Sequence, residues 1–162
     1  MTTQIAVDDL KKPLLNCLDE TFSKVRGIFL DKGTTLFETI DNISAAEASE
    51  KISPASATIA AQIEHLRFYL DVLDDYIHHQ EIKKVDWREI WDTIGTVSEE
   101  EWNQVRSRLR ASHSKVMSTI NSFEKWDGEY EISGALAILT HTAYHLGGIR
   151  VALGAIRAKT QS

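Results

Sequence analysis

Two histidines four residues apart, His141 and His145 in the segment HTAYH, are the residues of this 162-residue chain best spaced for chemistry. On an α-helix that spacing puts both rings on one face about one turn apart, where two ring nitrogens can converge on a single ion. The alternative is packing, because histidine pairs at this spacing also arise by chance. Their surroundings weigh against simple packing: both stand in the most apolar stretch of the chain, where an imidazole without a partner leaves polar atoms unsatisfied. Gly134, Ala137, Gly148 and Ala152 fall on the same helical face, and they either leave room beside the rings or serve close helix packing. His65, in QIEHLRFYL, falls on the inward half of another helix beside Phe68, Tyr69 and Val72, and is the natural source of a third nitrogen. Three neutral imidazoles with an open fourth position is the arrangement of catalytic rather than closed structural zinc sites.

The pair is not a metalloprotease motif. In HExxH the residue after the first histidine is the glutamate base, and here that residue is Thr142, so no general base is built into the pair. His113, near the middle of another apolar stripe, is read either as a fourth ligand or supporting group, or as a hydrogen-bonded core histidine. His78 and His79 end a helix, where histidine interacts favourably with the helix dipole, and both are expected to be solvent-exposed.

Four main helices must position these residues. The first is expected from about Asp8 to Asp31, with Pro13 tolerated in its first turn, Gly33 as its cap, and Leu14, Leu18, Phe22, Val25 and Phe29 on one stripe. A short helix over roughly Thr35 to Asn42 continues it, and Ala45 to Lys51 allows one further turn within a polar connection. The second main helix, about Ala57 to His79, is capped by Ser56 or a neighbour and carries Ile59, Ile63, Leu66, Leu70, Leu73 and Ile77 at helical spacing. Trp87 and Trp91 are expected to pin the Gln80–Val97 loop to the body of the protein. Ser98 with Glu101 three residues on is a capping-box pattern opening a helix to about Phe123, with Trp102, Val105, Leu109, Val116, Ile120 and Phe123 on its stripe. The last helix, about Ile132 to Ala158, is apolar nearly all round and is expected to be the most buried. The result is an all-α protein, an antiparallel four-helix bundle with one long connection, in a single domain spanning residues 1–162.

Composition agrees with a self-supporting core and argues against two classes of partner. The hydrophobic fraction is 43%, enough at this length to fold without disulfides. The formal net charge of −6 gives no general electrostatic reason to bind nucleic acid; Lys83, Lys84 and Arg106 to Arg110 read as solvated helix faces. The apolar run Ile132 to Ile156 contains His141, His145 and Arg150, each costly in hydrocarbon, so no membrane span is expected. The lone cysteine, Cys17, and the absence of an apolar stretch in Met1 to Lys12 point to a cytoplasmic protein.

The segments IAAQIEHLRFYLDVL and ISGALAILTHTAYHLGGIRVAL resemble the DinB-like (damage-inducible) superfamily, which includes YfiT-like proteins and thiol-dependent S-transferases. The resemblance covers almost the whole chain in helix order and is most specific in the last helix. It implies a four-helix bundle, a metal ion held by His65, His141 and His145 (zinc or nickel as the divalent ion), and a homodimer. It also implies transfer or isomerisation with a low-molecular-weight thiol, whose pKa the metal would lower.

Two readings of function follow. In the first the chain is a metal-dependent enzyme, a thiol-dependent S-transferase or a hydrolase. There Tyr69 or Tyr144 would donate to the substrate and Arg67 or Arg150 would hold an anionic group. The plainer alternatives are that Tyr144 faces a neighbouring helix and Arg150 pairs with a carboxylate such as Glu64. In the second reading the chain is a non-catalytic, stress-related or partner-binding bundle whose histidines bind metal weakly or pack. Ile5, Val7, Leu36 and Phe37 either supply a dimer interface or close the ends of the bundle.

Overall fold

The computed structural model describes residues 6–79, 85–86, 91, 94–126 and 128–160. Those residues are all-helical, without a strand among them. The helices are α1 (Val7–Phe22), α2 (Leu36–Asp41), α3 (Ala45–Ser49), α4 (Ile59–His79), α5 (Glu99–Ser122) and α6 (Glu129–Thr160). Helix α4 is the hub, packed along both α5 and α6, and α1 lies against α6. No helix among the described residues is long and apolar enough to cross a membrane.

The stripe of α4 does what its period requires. Ile59, Ile63, Leu66, Leu70 and Ile77 are buried, and they meet Trp102, Val105, Leu109, Val116 and Ile120 of α5 in one continuous apolar cluster. Truncating a buried leucine in such a cluster, Leu66 for example, costs about 2–5 kcal/mol through lost transfer energy and the cavity left behind. One polar tie crosses the same interface. Asp74, 1% exposed, accepts a hydrogen bond from Thr119 Oγ1 at 2.5 Å and pairs with Lys115 Nζ at 2.8 Å.

Helix starts follow local chemistry. Ser98 and Glu101 form the expected capping box on α5, and Thr35 with Glu38 and Ser44 with Glu47 form two more on α2 and α3. Each cap satisfies amides that the first turn leaves unpaired, worth about 1 kcal/mol. On α4 the cap is Thr58, whose Oγ1 accepts from the Ala61 amide at 3.1 Å; Ser56 instead closes a turn with Ser53.

The first helix is shorter than its apolar spacing predicts. It ends at Phe22, not Asp31, because the fully buried Glu20 carboxylate accepts the amides of Ile28, Phe29 and Leu30. Burial pushes the Glu20 pKa up, but these amides and that of Arg26 outweigh it and hold the carboxyl below its ordinary range. The chain folds back around Glu20 through Gly27, whose φ of +75° is open to glycine at little cost. Ile28 and Phe29 are left about half exposed, off the stripe. Gly33, φ +80°, serves the turn before α2 rather than the end of α1. Pro13 lies inside α1, beyond the first turn, on an exposed side, where water can satisfy the carbonyl its ring displaces.

Two further expectations are corrected. Helix α6 is not buried all round: Leu136, Tyr144 and Val151 are exposed at 42%, 77% and 71%. Leu36 is fully buried and Phe37 packs against Phe22, so both close the core and neither is free for an interface; Val7 is exposed and Ile5 lies outside the described residues. The arginines of α5 are tied down by acids. Arg106 and Arg110 reach Asp41 and Arg108 reaches Glu64, while Lys83 and Lys84 lie outside the described residues.

Candidate metal centre

Helices α4 and α6 bring His65, His141 and His145 together. His65 and His145 are buried and His141 half-buried. The Nε2 atoms of His65 and His141 are 3.1 Å apart, and one ring nitrogen from each of the three histidines lies within 4.8 Å of the others. Gly134 lies against α4, where an added Cβ would come within 2.8 Å of the Ile77 side chain and displace it. Gly134 therefore serves packing, whereas Gly148 and Ala152, farther along the same face, line an open cavity.

Aromatic rings hold the imidazoles in place. Tyr69 stacks on His141 with ring centres 3.6 Å apart and planes at 15°. Trp91 stacks on His65 at 4.3 Å and 21°, and Tyr144 presents an edge to His145 at 5.2 Å. The role of Trp91 as an anchor is met, and its anchoring point is the site itself; Trp87 lies outside the described residues. Burial pulls the His141 and His145 pKa values down to about 4, and mutual repulsion within the trio adds to the effect. Burial lowers that of His65 as well. Neutral imidazoles with available lone pairs are what a metal requires of this donor set at pH 7. Desolvation also raises the Tyr69 phenol, which stays protonated and able to donate.

The donor geometry fits an ion. Bonds of about 2.0–2.1 Å at tetrahedral angles separate ligand nitrogens by roughly 3.3 Å. The His65–His141 separation of 3.1 Å is already close to that, and the 4.8 Å limit on the trio is within the reach of ring rotation. Glu64, next to His65 in sequence, is taken up by Arg67 at 2.6 Å and Arg108 at 3.1 Å.

Three of the residues expected near the site are elsewhere. Arg67 is bound between Glu64 and Asp71. Arg150 reaches Thr39 Oγ1 at 3.3 Å, not Glu64. His113 lies between Phe22 and Phe37, with ring centres at 4.3 and 5.2 Å. It stands apart from the three grouped histidines, and its Nε2 is buried without a hydrogen-bond partner among the described residues. Tyr144 is 77% exposed, so it is not packed against a neighbouring helix among the described residues. His78 and His79 are exposed and bond to the Asp74 and Asp75 carbonyls one turn back.

Beside His145 a cavity of about 500 Å³ opens between α4, α6 and the segment before α4, lined by Gln62, Trp91, Tyr144, Gly148 and Ala152 among others. The segment is positioned from α6: Arg157 binds Glu47 and the Asn42 carbonyl, and Lys159 reaches the Ile52 carbonyl. Sequence reasoning missed Gln62 as a wall of the site, although its position three residues before His65 places it on the same helix face. Comparison with known proteins adds no relative: no protein-family model, curated protein or solved structure matches the chain.

Proposed function

We propose that the chain is a DinB-like, metal-dependent enzyme that holds one divalent ion, zinc or nickel, through His65, His141 and His145. The observation that carries the reading is the convergence of three neutral ring nitrogens from two helices beside an open cavity. The fold belonging to this reading is a single antiparallel four-helix bundle, in a cytoplasmic homodimer. The reaction class is thiol-dependent transfer or hydrolysis on a small molecule. When bound, the ion supplies Lewis acidity, lowering the pKa of a thiol or water at its open position.

The chain's own residues do the rest. Burial keeps the three imidazoles neutral, and the faces of Trp91 and Tyr69 limit how far the rings of His65 and His141 turn. Preorganised ligands of this kind forfeit less entropy on binding. The cavity beside His145 gives a substrate access from one side.

Metal analysis of the purified, untagged protein tests this reading, with His65→Ala, His141→Ala and His145→Ala alongside. Close to one ion per chain, lost in all three variants, supports it and justifies screening thiol transfer and hydrolysis. A second reading is favoured by the direct 3.1 Å contact between His65 and His141, which a hydrogen-bonded histidine pair would also make. In that case the protein holds no ion at cellular concentrations, and the trio is an aromatic packing cluster in a non-catalytic bundle.

A further inference from the structure

The cavity beside His145 has a character of its own. Its lining includes Gly148 and Ala152, which contribute at most a methyl group, the rings of Trp91 and Tyr144, and the side chains of Ile52 and Ala57. The polar groups on its described walls, besides His145, are the Gln62 amide, the Ser56 hydroxyl and the Tyr144 phenol. At about 500 Å³ it falls within the range of roughly 300–1,000 Å³ typical of pockets for organic ligands. Tyr144 leaves 77% of its surface in water, so a flat ligand laid against its ring gains contact without displacing protein.

We infer that this cavity is the substrate pocket, and that the part of the molecule it takes is an uncharged flat ring. The ring lies between Trp91 and Tyr144, and a neighbouring amide or hydroxyl is read by Gln62. Ring faces favour a planar apolar group. A primary amide offers both donors and an acceptor, and so pairs with a neutral polar group that also donates and accepts. A charged group laid on these described walls away from His145 would meet no counter-charge, which costs binding energy. The inference rests on the proposed metal site only for the direction of the reacting end, toward His145.

Benzamide is the probe for the pocket alone, acetohydroxamic acid for the metal alone and benzohydroxamic acid for both. Binding is followed by NMR, at the Trp91 indole and the Gly148 amide, for the zinc-loaded and the zinc-free protein, with zinc content measured in the same samples. Benzamide is expected to shift both signals with or without zinc. Benzohydroxamic acid is expected to bind the loaded protein at least about tenfold tighter than acetohydroxamic acid, from the buried ring. Gly148→Leu fills the cavity, and a Cβ at this position meets nothing closer than Gln62 Oε1 at 3.4 Å. It should abolish the ring's advantage while zinc content is unchanged. Gln62→Leu should weaken benzamide with the fold intact, and serves if the leucine variant does not fold. Absence of benzamide shifts at Trp91 and Gly148, a ring advantage that survives Gly148→Leu, or benzamide binding unchanged in Gln62→Leu would overturn the pocket. Benzamide binding without any zinc uptake would instead sink the metal site and leave the pocket standing.

Discussion

His141 and His113 share the features that make a histidine look functional. Each sits on a long helix, and desolvation pulls each to a pKa of about 4. Their surroundings separate them. His141 has two other imidazoles at ring-centre distances of 4.6 and 5.1 Å, whereas His113 has two phenylalanine rings. A depressed pKa shows only that a histidine is out of water. Convergence of donors turns that burial into a site, because the ion needs several lone pairs at one point.

The largest expected effect separates the two directly. Replacing His65, His141 or His145 with alanine removes a third of the ligand set, and zinc affinity is expected to fall on the order of a thousandfold, about 4 kcal/mol. His113→Ala is expected to lose stability through its cavity and retain one zinc per chain. Isothermal titration with a competing chelator measures both. Equal losses at His113 and His141 would erase the distinction.

Acid stability comes next. The unfolded chain protonates His113 as pH falls through about 6.5, while the folded chain waits until about 4. Between those values the unfolded state binds more protons, so stability is full above pH 6.5 and declines as pH drops toward 4. His113→Leu removes this contribution and should flatten the decline by on the order of 3 kcal/mol. It should cost little at pH 7, since the buried Nε2 it deletes has no hydrogen-bond partner among the described residues. Urea unfolding at pH 7, 5.5 and 4.5 on the metal-free protein reads the difference, and parallel curves for the variant and the parent would show that His113 is not responsible.

Somewhat smaller is the stabilisation by metal. Free zinc at a hundred times its Kd should raise the unfolding free energy by about 2.7 kcal/mol in the parent and in His113→Leu alike, but not in His145→Ala. Thermal melts at fixed pH 7.5 give the three values. A zinc-dependent rise in His145→Ala would place the ion elsewhere.

The sequence made one half of this comparison legible and concealed the other. HTAYH, the α4 stripe and the Ser98–Glu101 cap could be read because they depend on residues within a turn or two of one another, where helix geometry alone sets who meets whom. His65 could be read because the inward face of α4 is defined by its own period. His113 sits near an apolar stripe as His65 does, and periodicity does not say which buried histidine faces another histidine and which faces Phe22. The end of α1 was hidden for a similar reason: Glu20 is bound by amides 8 to 10 residues downstream, and no local signal marks that contact. The exposed face of α6 was also unreadable, because Leu136, Tyr144 and Val151 resemble core residues by type, and their exposure depends on which helices lie alongside.

The smallest expected effect concerns the rings that hold the trio. If Tyr69 acts on His141 only through its face, at 3.6 Å and 15°, then Tyr69→Phe keeps the stack and should change zinc affinity by less than about twofold. Tyr69→Leu keeps burial but loses the stack and frees the imidazole to rotate, which should weaken zinc by about tenfold, the lower end of what supporting groups contribute. The corresponding phenylalanines at His113's neighbours, Phe22 and Phe37, hold a ring with no ion to orient. Phe37→Leu should therefore lower the melting temperature and leave zinc affinity unchanged. A Tyr69→Phe loss as large as that of Tyr69→Leu would assign the contribution to the hydroxyl, and the phenol would join the histidines as a polar participant in the site.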